Sequence, residues 1–144
     1  MITKLWVLAD NRPGNVNQLI GIATQLACPY EVKKIRYNGF AKLPNFLRGS
    51  SLVGINKATS DNLNGPYPDI VLSAGRRTAP IAKYIKKKNP ETFIVQVMSP
   101  EVSLKDFDLV ALPKHDNYEE KDNIITTIGA PNKITSSIIN EEAK

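Results

Sequence analysis

The chain has 144 residues, 42% of them hydrophobic and 23% charged, and a formal net charge of +5. That length supports one domain with a substantial core and is too short for two ordinary ones. No apolar run approaches membrane-spanning length, Met1-Ile2-Thr3-Lys4 is unlike a secretory signal, and a single cysteine, Cys28, excludes a disulfide framework or a multi-cysteine zinc site. The compartment expected from this is the cytoplasm.

The first strand is expected at 3–9 (T-K-L-W-V-L-A), and Asp10-Asn11-Arg12-Pro13-Gly14 then breaks the pattern with turn residues. In the next segment Val16, Leu19, Ile20, Ala23, Leu26 and Ala27 form one apolar stripe at helical spacing. Asn15 is the expected cap of that helix, with Gln18 three residues on as in a capping box, and Pro29 closes it. A more exposed second strand follows at 31–37 (E-V-K-K-I-R-Y).

Residues 38–67 scatter Phe40, Leu43, Phe46, Leu47, Leu52, Val53 and Ile55 among Gly, Pro, Ser and Asn. Short helices at 43–48 and 50–57 are expected, because thirty residues without structure would be unusual inside a compact domain. Apolar and basic residues (Lys42, Arg48, Lys57) mix here. This allows two readings: a peripheral contact with a membrane surface or a lipid-linked substrate, or a simple cover for the sheet.

Asp69–Pro80 (D-I-V-L-S-A-G-R-R-T-A-P) is the stretch around which the chain is organised. A buried third strand at 69–74 runs into Gly75, where two arginines stand at the start of a helix expected over 78–88, with Thr78 as its cap and Pro80 in its first turn. A helix start leaves backbone N–H groups unpaired and carries partial positive charge, and glycine lets the backbone approach a ligand. With Arg76 and Arg77 added, the element reads as a seat for a phosphate or carboxylate. The competing reading is a structural turn whose arginines pair with local carboxylates.

Strand four is expected at 92–98, a short polar helix at 101–106, strand five at 108–112 and strand six at 123–128. Gly129-Ala130-Pro131 then turns the chain, and a last helix begins at Thr135. Short apolar strands alternating with helices specify a doubly wound, Rossmann-like parallel α/β sheet, with expected order 2-1-3-4-5-6. Ligands of such sheets bind beyond the carboxyl ends of the strands, where the winding reverses. Strands lie roughly 4.8 Å apart, so Arg12 after strand one and Arg76 after strand three are expected to reach one ligand.

Lysines outnumber arginines 14 to 5, and Arg12, Arg76 and Arg77 all fall in turns after strands, where a planar bidentate grip is of use. Lys86-Lys87-Lys88 reads as a cationic helix end, and no nucleic-acid partner is expected because nothing aromatic is interleaved with the lysines. The strong nucleotide and metal motifs are absent, so no metal or cofactor is expected. His115, followed by Asp116 at the end of strand five, reads either as a general base with a neighbouring carboxylate or as a structural histidine. Ser73 lacks the elbow motif of a serine hydrolase.

A-D-N-R-P-G-N-V-N-Q-L-I-G-I-A (9–23), P-D-I-V-L-S-A-G-R-R-T-A-P (68–80), V-Q-V-M-S-P (95–100) and F-D-L-V-A-L-P-K-H-D-N (107–117) together resemble the elongated-mitochondria family: plant mitochondrial fission factors and bacterial relatives. That family resembles glycosyltransferases of the two-domain B type. The resemblance implies a single Rossmann-like domain over 1–144, equivalent to the N-terminal, acceptor-side half, with the second domain absent from this chain. It implies Asp10, Arg12, Gly14, Gln18, Gly75, Arg76, Arg77, His115 and Asp116 as cleft-facing residues, with His115 or Asp10 as the base of any transfer. The expected partners are a phosphorylated or sugar-bearing ligand and a second-domain protein. Two alternatives stand beside this: a non-catalytic adaptor, and a truncated remnant working with a separately encoded half.

Overall fold

A computed structural model describes residues 4–10, 12–27, 29–100, 103–113 and 123–127. Six strands form one parallel sheet: β1 (Leu5–Ala9), β2 (Tyr30–Lys34), β3 (Ile70–Ala74), β4 (Phe93–Val97), β5 (Leu109–Pro113) and β6 (Ile124–Thr127). Their order is β2-β1-β3-β4-β5-β6, as expected from the sequence. β1 and β3 are both buried along their whole length, the pattern of parallel strands covered on both faces. Alternate residues feed two cores. Leu5, Val7, Leu72 and Val95 face α1 (Pro13–Gln25), while Trp6, Leu8, Val71 and Ile94 face α3 (Gly75–Lys88) and the long connection before it.

The helix boundaries differ from expectation for local reasons. α1 starts at Pro13, whose fixed φ and missing N–H suit a first helical position, so Arg12 and not Asn15 is its cap. The buried residues of α1 are Leu19, Ile22 and Ala23, followed by Leu26 just beyond it. Val16 and Ile20 are half-buried, and Ala27 is exposed because the helix has ended and its φ is +54°. α3 starts at Gly75, three residues before the expected start, so Arg76 and Arg77 occupy its first turn and Pro80 lies inside it. Thr78 does not cap: its hydroxyl donates to the Ala74 carbonyl at 2.9 Å and pairs with Ser73 at 2.8 Å.

The 38–67 connection holds a 3-10 turn (Gly39–Lys42) and α2 (Asn45–Arg48), but no helix at 50–57. Ile55 instead bridges back to Tyr37, and backbone bonds Asn38 N–H to Gly54 O and Asn56 N–H to Arg36 O, both 2.8 Å, make the return antiparallel. Gly54, with φ +96°, is necessary there, because a Cβ would stand 2.9 Å from Ala41 backbone atoms. On the far side, Lys86 is more than a helix-end cation: it bonds Thr92 O at 2.8 Å and Asp108 at 2.9 Å, tying α3 to β4 and β5. Among the described residues, no helix is long and apolar enough to cross a membrane. Cys28, His115, Asp116, the 129–131 turn and the helix expected from Thr135 lie outside the described residues.

Candidate functional site

The winding reverses between β1 and β3, which pair directly in the register Val7 to Leu72. The two following segments therefore leave the sheet side by side. Asp10, 8% exposed, accepts the Arg12 backbone N–H on Oδ1 at 2.9 Å, a local turn that directs the chain into Pro13. Burial holds the Asp10 carboxyl above its ordinary 3.8, opposed by that hydrogen bond and by the charges of Arg12 and Arg77. No side chain caps the start of α1, and its first turn carries no acid. Pro13 has no N–H and the Asn15 amide bonds Arg12 O at 3.1 Å, so the Gly14 amide is the one this first turn offers to an anion.

The start of α3 has the same character. Gly75 adopts φ +77°, a conformation costly for any residue with a Cβ, and no side chain caps the helix. Gln96, fully buried on β4, fixes it by donating Nε2 to Gly75 O at 2.7 Å and Met98 O at 3.1 Å. A Cβ on Gly75 would stand 3.2 Å from Asn15 Nδ2, so the first turns of α1 and α3 abut here.

Of the residues singled out in the sequence, the fold brings Asp10, Arg12, Gly75 and Arg77 together at this edge. Arg77 is half-buried; its Nε is enclosed without a partner, and its guanidinium carbon lies 5.6 Å from the Tyr37 ring centroid. Gly14 is exposed at the start of α1 with open space beside it, and Gln18 is half-buried one turn further on. Arg76 is directed elsewhere in part: it donates to Ala41 O at 3.0 Å and Leu43 O at 3.2 Å, clasping the 38–67 connection to α3.

Two further members of the cluster are not singled out by the sequence. Tyr37, just beyond β2, has an enclosed hydroxyl without a partner, and burial with the nearby Asp10 charge pushes its pKa far up. Arg48, at the end of α2, is 2% exposed. Burial pulls its pKa down, Tyr37 opposes that, and Arg76 and Arg77 add to it. The usable signal is residue type: in a chain that prefers lysine for surface charge, position 48 is an arginine.

Elsewhere, a cavity of about 350 Å³ is lined by Leu52, Ile55, Asp61, Leu63 and Tyr84 and adjoins a shallower depression bearing Phe40 and Val53. Neither includes the arginine cluster. Among the described residues, no three His, Cys, Asp or Glu side chains are grouped to hold a metal.

A family model of mitochondrial fission ELM1 matches residues 13–144. The uncharacterized protein RP120 of Rickettsia prowazekii (strain Madrid E) is 42% identical over 114 residues, covering 78% of this chain and 32% of that protein. The mitochondrial fission protein ELM1 of Arabidopsis thaliana is 42% identical over 52 residues, covering 35% of this chain and 12% of that protein. The chain thus spans about a third of the length of the first relative and less of the second. No solved structure matches.

Proposed function

The chain belongs to the mitochondrial fission ELM1 family, and from that premise we propose that it is an anion-binding domain that seats a phosphorylated or sugar-bearing ligand at the carboxyl edge of its sheet. The observation that carries this is the abutment of two uncapped helix starts, Asn15 against Gly75, flanked by Arg12 and Arg77. Amides and guanidinium groups aimed at one place favour negative charge without further machinery.

The resemblance to two-domain B-type glycosyltransferases makes this the acceptor side, with a second domain or protein supplying the donor platform. Asp10 is the described residue suited to act as base in such a transfer. Its carboxyl is buried, its pKa is raised and it is held in place by the Arg12 amide, whereas an exposed carboxylate is a weaker base. Titration calorimetry with nucleotide sugars and polyprenyl phosphates tests the proposal, using the wild type, Arg12→Ala and Arg77→Ala. Binding weakened in both variants is expected; no binding by the wild type at millimolar ligand refutes it.

A second reading, an adaptor without catalysis, is favoured by a different observation. Phe40, Leu47 and Val53 are 64%, 60% and 44% exposed on the 38–67 connection, and Phe40 and Val53 line one depression with Lys57, a surface suited to a protein or membrane partner. Vesicle flotation and pull-down with Phe40→Asp separate the readings, since only the adaptor reading requires that variant to lose its partner while keeping ligand affinity.

A further inference from the structure

Arg48 is as enclosed as the core tryptophan, Trp6. Its Nε donates to Val53 O at 3.1 Å, but Nη1 and Nη2 are covered and have no hydrogen-bond partner. Among the described residues, the groups within electrostatic reach are the Tyr37 phenol, itself unpartnered, and two further guanidinium groups, Arg76 and Arg77. A charge removed from water without a counter-charge is strongly unfavourable, and an apolar side chain of similar volume would avoid that cost. A guanidinium at this position is therefore accounted for by an anion that the described residues do not supply.

We infer that Arg48 is an inner binding residue for a doubly charged phosphate group, with Tyr37 beside it, so that the 38–67 connection forms the third wall of the anion seat. The inference rests on the reading of this edge as an anion site. The Nε bond to Val53 O fixes the plane of the guanidinium, which leaves its two terminal nitrogens as a parallel pair matched to two phosphate oxygens. Charge selects the ligand class. Arg12, Arg48 and Arg77 all lie within electrostatic reach of the Tyr37 phenol, where Asp10 is the one described carboxylate, so a dianion such as a phosphomonoester balances the cluster better than a phosphodiester or a carboxylate.

Because both terminal nitrogens are covered, the ligand reaches them when the connection parts from α3. The two Arg76 bonds to Ala41 and Leu43 carbonyls are the local contacts that must yield, and Gly49 and Gly54, with φ +60° and +96°, provide backbone freedom on either side of Val53.

The test is calorimetric binding of glycerol phosphate, a dianion, and dimethyl phosphate, a monoanion, at about pH 8 and constant ionic strength, with phosphomonoesters fully charged above a second pKa of about 6. The proteins are the wild type, Arg48→Met, Arg48→Lys and Arg77→Ala, each also unfolded in urea. The wild type is expected to prefer the monoester. Arg48→Met is expected to bind it about ten- to a hundredfold more weakly, the loss typical of a charged hydrogen-bonding pair, and to lose the preference while resisting urea at least as well as the wild type. Arg48→Lys is expected to retain part of the preference.

If Arg48→Met keeps wild-type affinity and preference while Arg77→Ala weakens binding, the inner-residue assignment fails and the anion seat stands. If Arg48→Met is less stable than the wild type, Arg48→Lys restores that stability and binding is unchanged in both, the guanidinium neutralises an acid of the chain itself and the assignment is again wrong. If the wild type binds neither compound, the anion seat fails, and the assignment with it.

Discussion

Alanine at position 75 and alanine at position 14 are expected to move stability in opposite directions, although both glycines open a helix at the same edge. Gly75 has φ +77°, and its carbonyl is held by Gln96, so the backbone cannot relax freely toward negative φ. A Cβ in the left-handed region costs about 1–2 kcal/mol, and here it would also press on Asn15 Nδ2 at 3.2 Å, so that side-chain end must yield slightly. Gly14 has a helical backbone with nothing within 4 Å of the place a methyl would occupy, so alanine removes unfolded-chain freedom at no steric cost. The gain there is about 0.5 kcal/mol, the low end for glycine to alanine in a helix, because the position is in the first turn. For a domain of this size about 1 kcal/mol moves Tm by roughly 3–4 °C. Gly75→Ala should therefore melt about 3–8 °C below the wild type, and Gly14→Ala about one or two degrees above it. Urea unfolding followed by far-UV circular dichroism, with midpoints compared at constant slope, measures both. A neutral or stabilising Gly75→Ala would refute the claim that the turn requires glycine.

Asp10→Asn keeps the acceptor for the Arg12 amide and removes a buried charge. Because the folded-state pKa of Asp10 lies above 3.8, its ionisation costs stability as pH rises from 3.8 through the folded value; the variant should be more stable than the wild type at pH 7, and the difference should vanish in melts below pH 3.8. The same variant should bind phosphate more tightly, which calorimetry checks. Arg76→Ala removes both carbonyl contacts at Ala41 and Leu43, so limited proteolysis should cut 39–54 faster, with the sheet's melting little changed. Gly54→Ala should cost about 2–3 kcal/mol in urea unfolding, combining left-handed strain with overlap on the Ala41 backbone.

The sheet is legible in the sequence because its cause is local and repeated. Ile70-Val71-Leu72 and Ile94-Val95 are apolar on both faces, which only a covered parallel strand requires, and strands alternating with helices then leave few orders. Helix starts are less legible, because proline and glycine decide them here and cap residues do not. Pro13 sets the first helical position of α1, and the unusual φ of Gly75 opens α3 before the hydroxyl at Thr78. The 38–67 connection carries no period to read. Its shape is specified by distant polar contacts, Arg76 to two carbonyls, Lys34 N–H to Asp61 and Arg36 N–H to Ser60, and none of these leaves a pattern along the chain. For the same reason Arg48 reads in the sequence only as part of a basic, apolar mixture. Its place depends on α2 packing against α3, a contact between segments far apart in sequence.

Several positions where local rules fail lie together, although others, the φ of +54° at Ala27 and the enclosed Nε1 of Trp6, lie elsewhere. A glycine in a left-handed conformation at a helix start, two long helices without side-chain caps, a buried carboxyl and a buried guanidinium with two unpaired nitrogens each oppose folding on their own. These features lie at one edge of the sheet, beyond the carboxyl ends of β1 and β3. Sequences are locally consistent with their fold except where a site demands otherwise. The cost therefore falls where amides and guanidinium groups converge, and a phosphate arriving there would offset it by pairing the groups that the fold leaves exposed to one another.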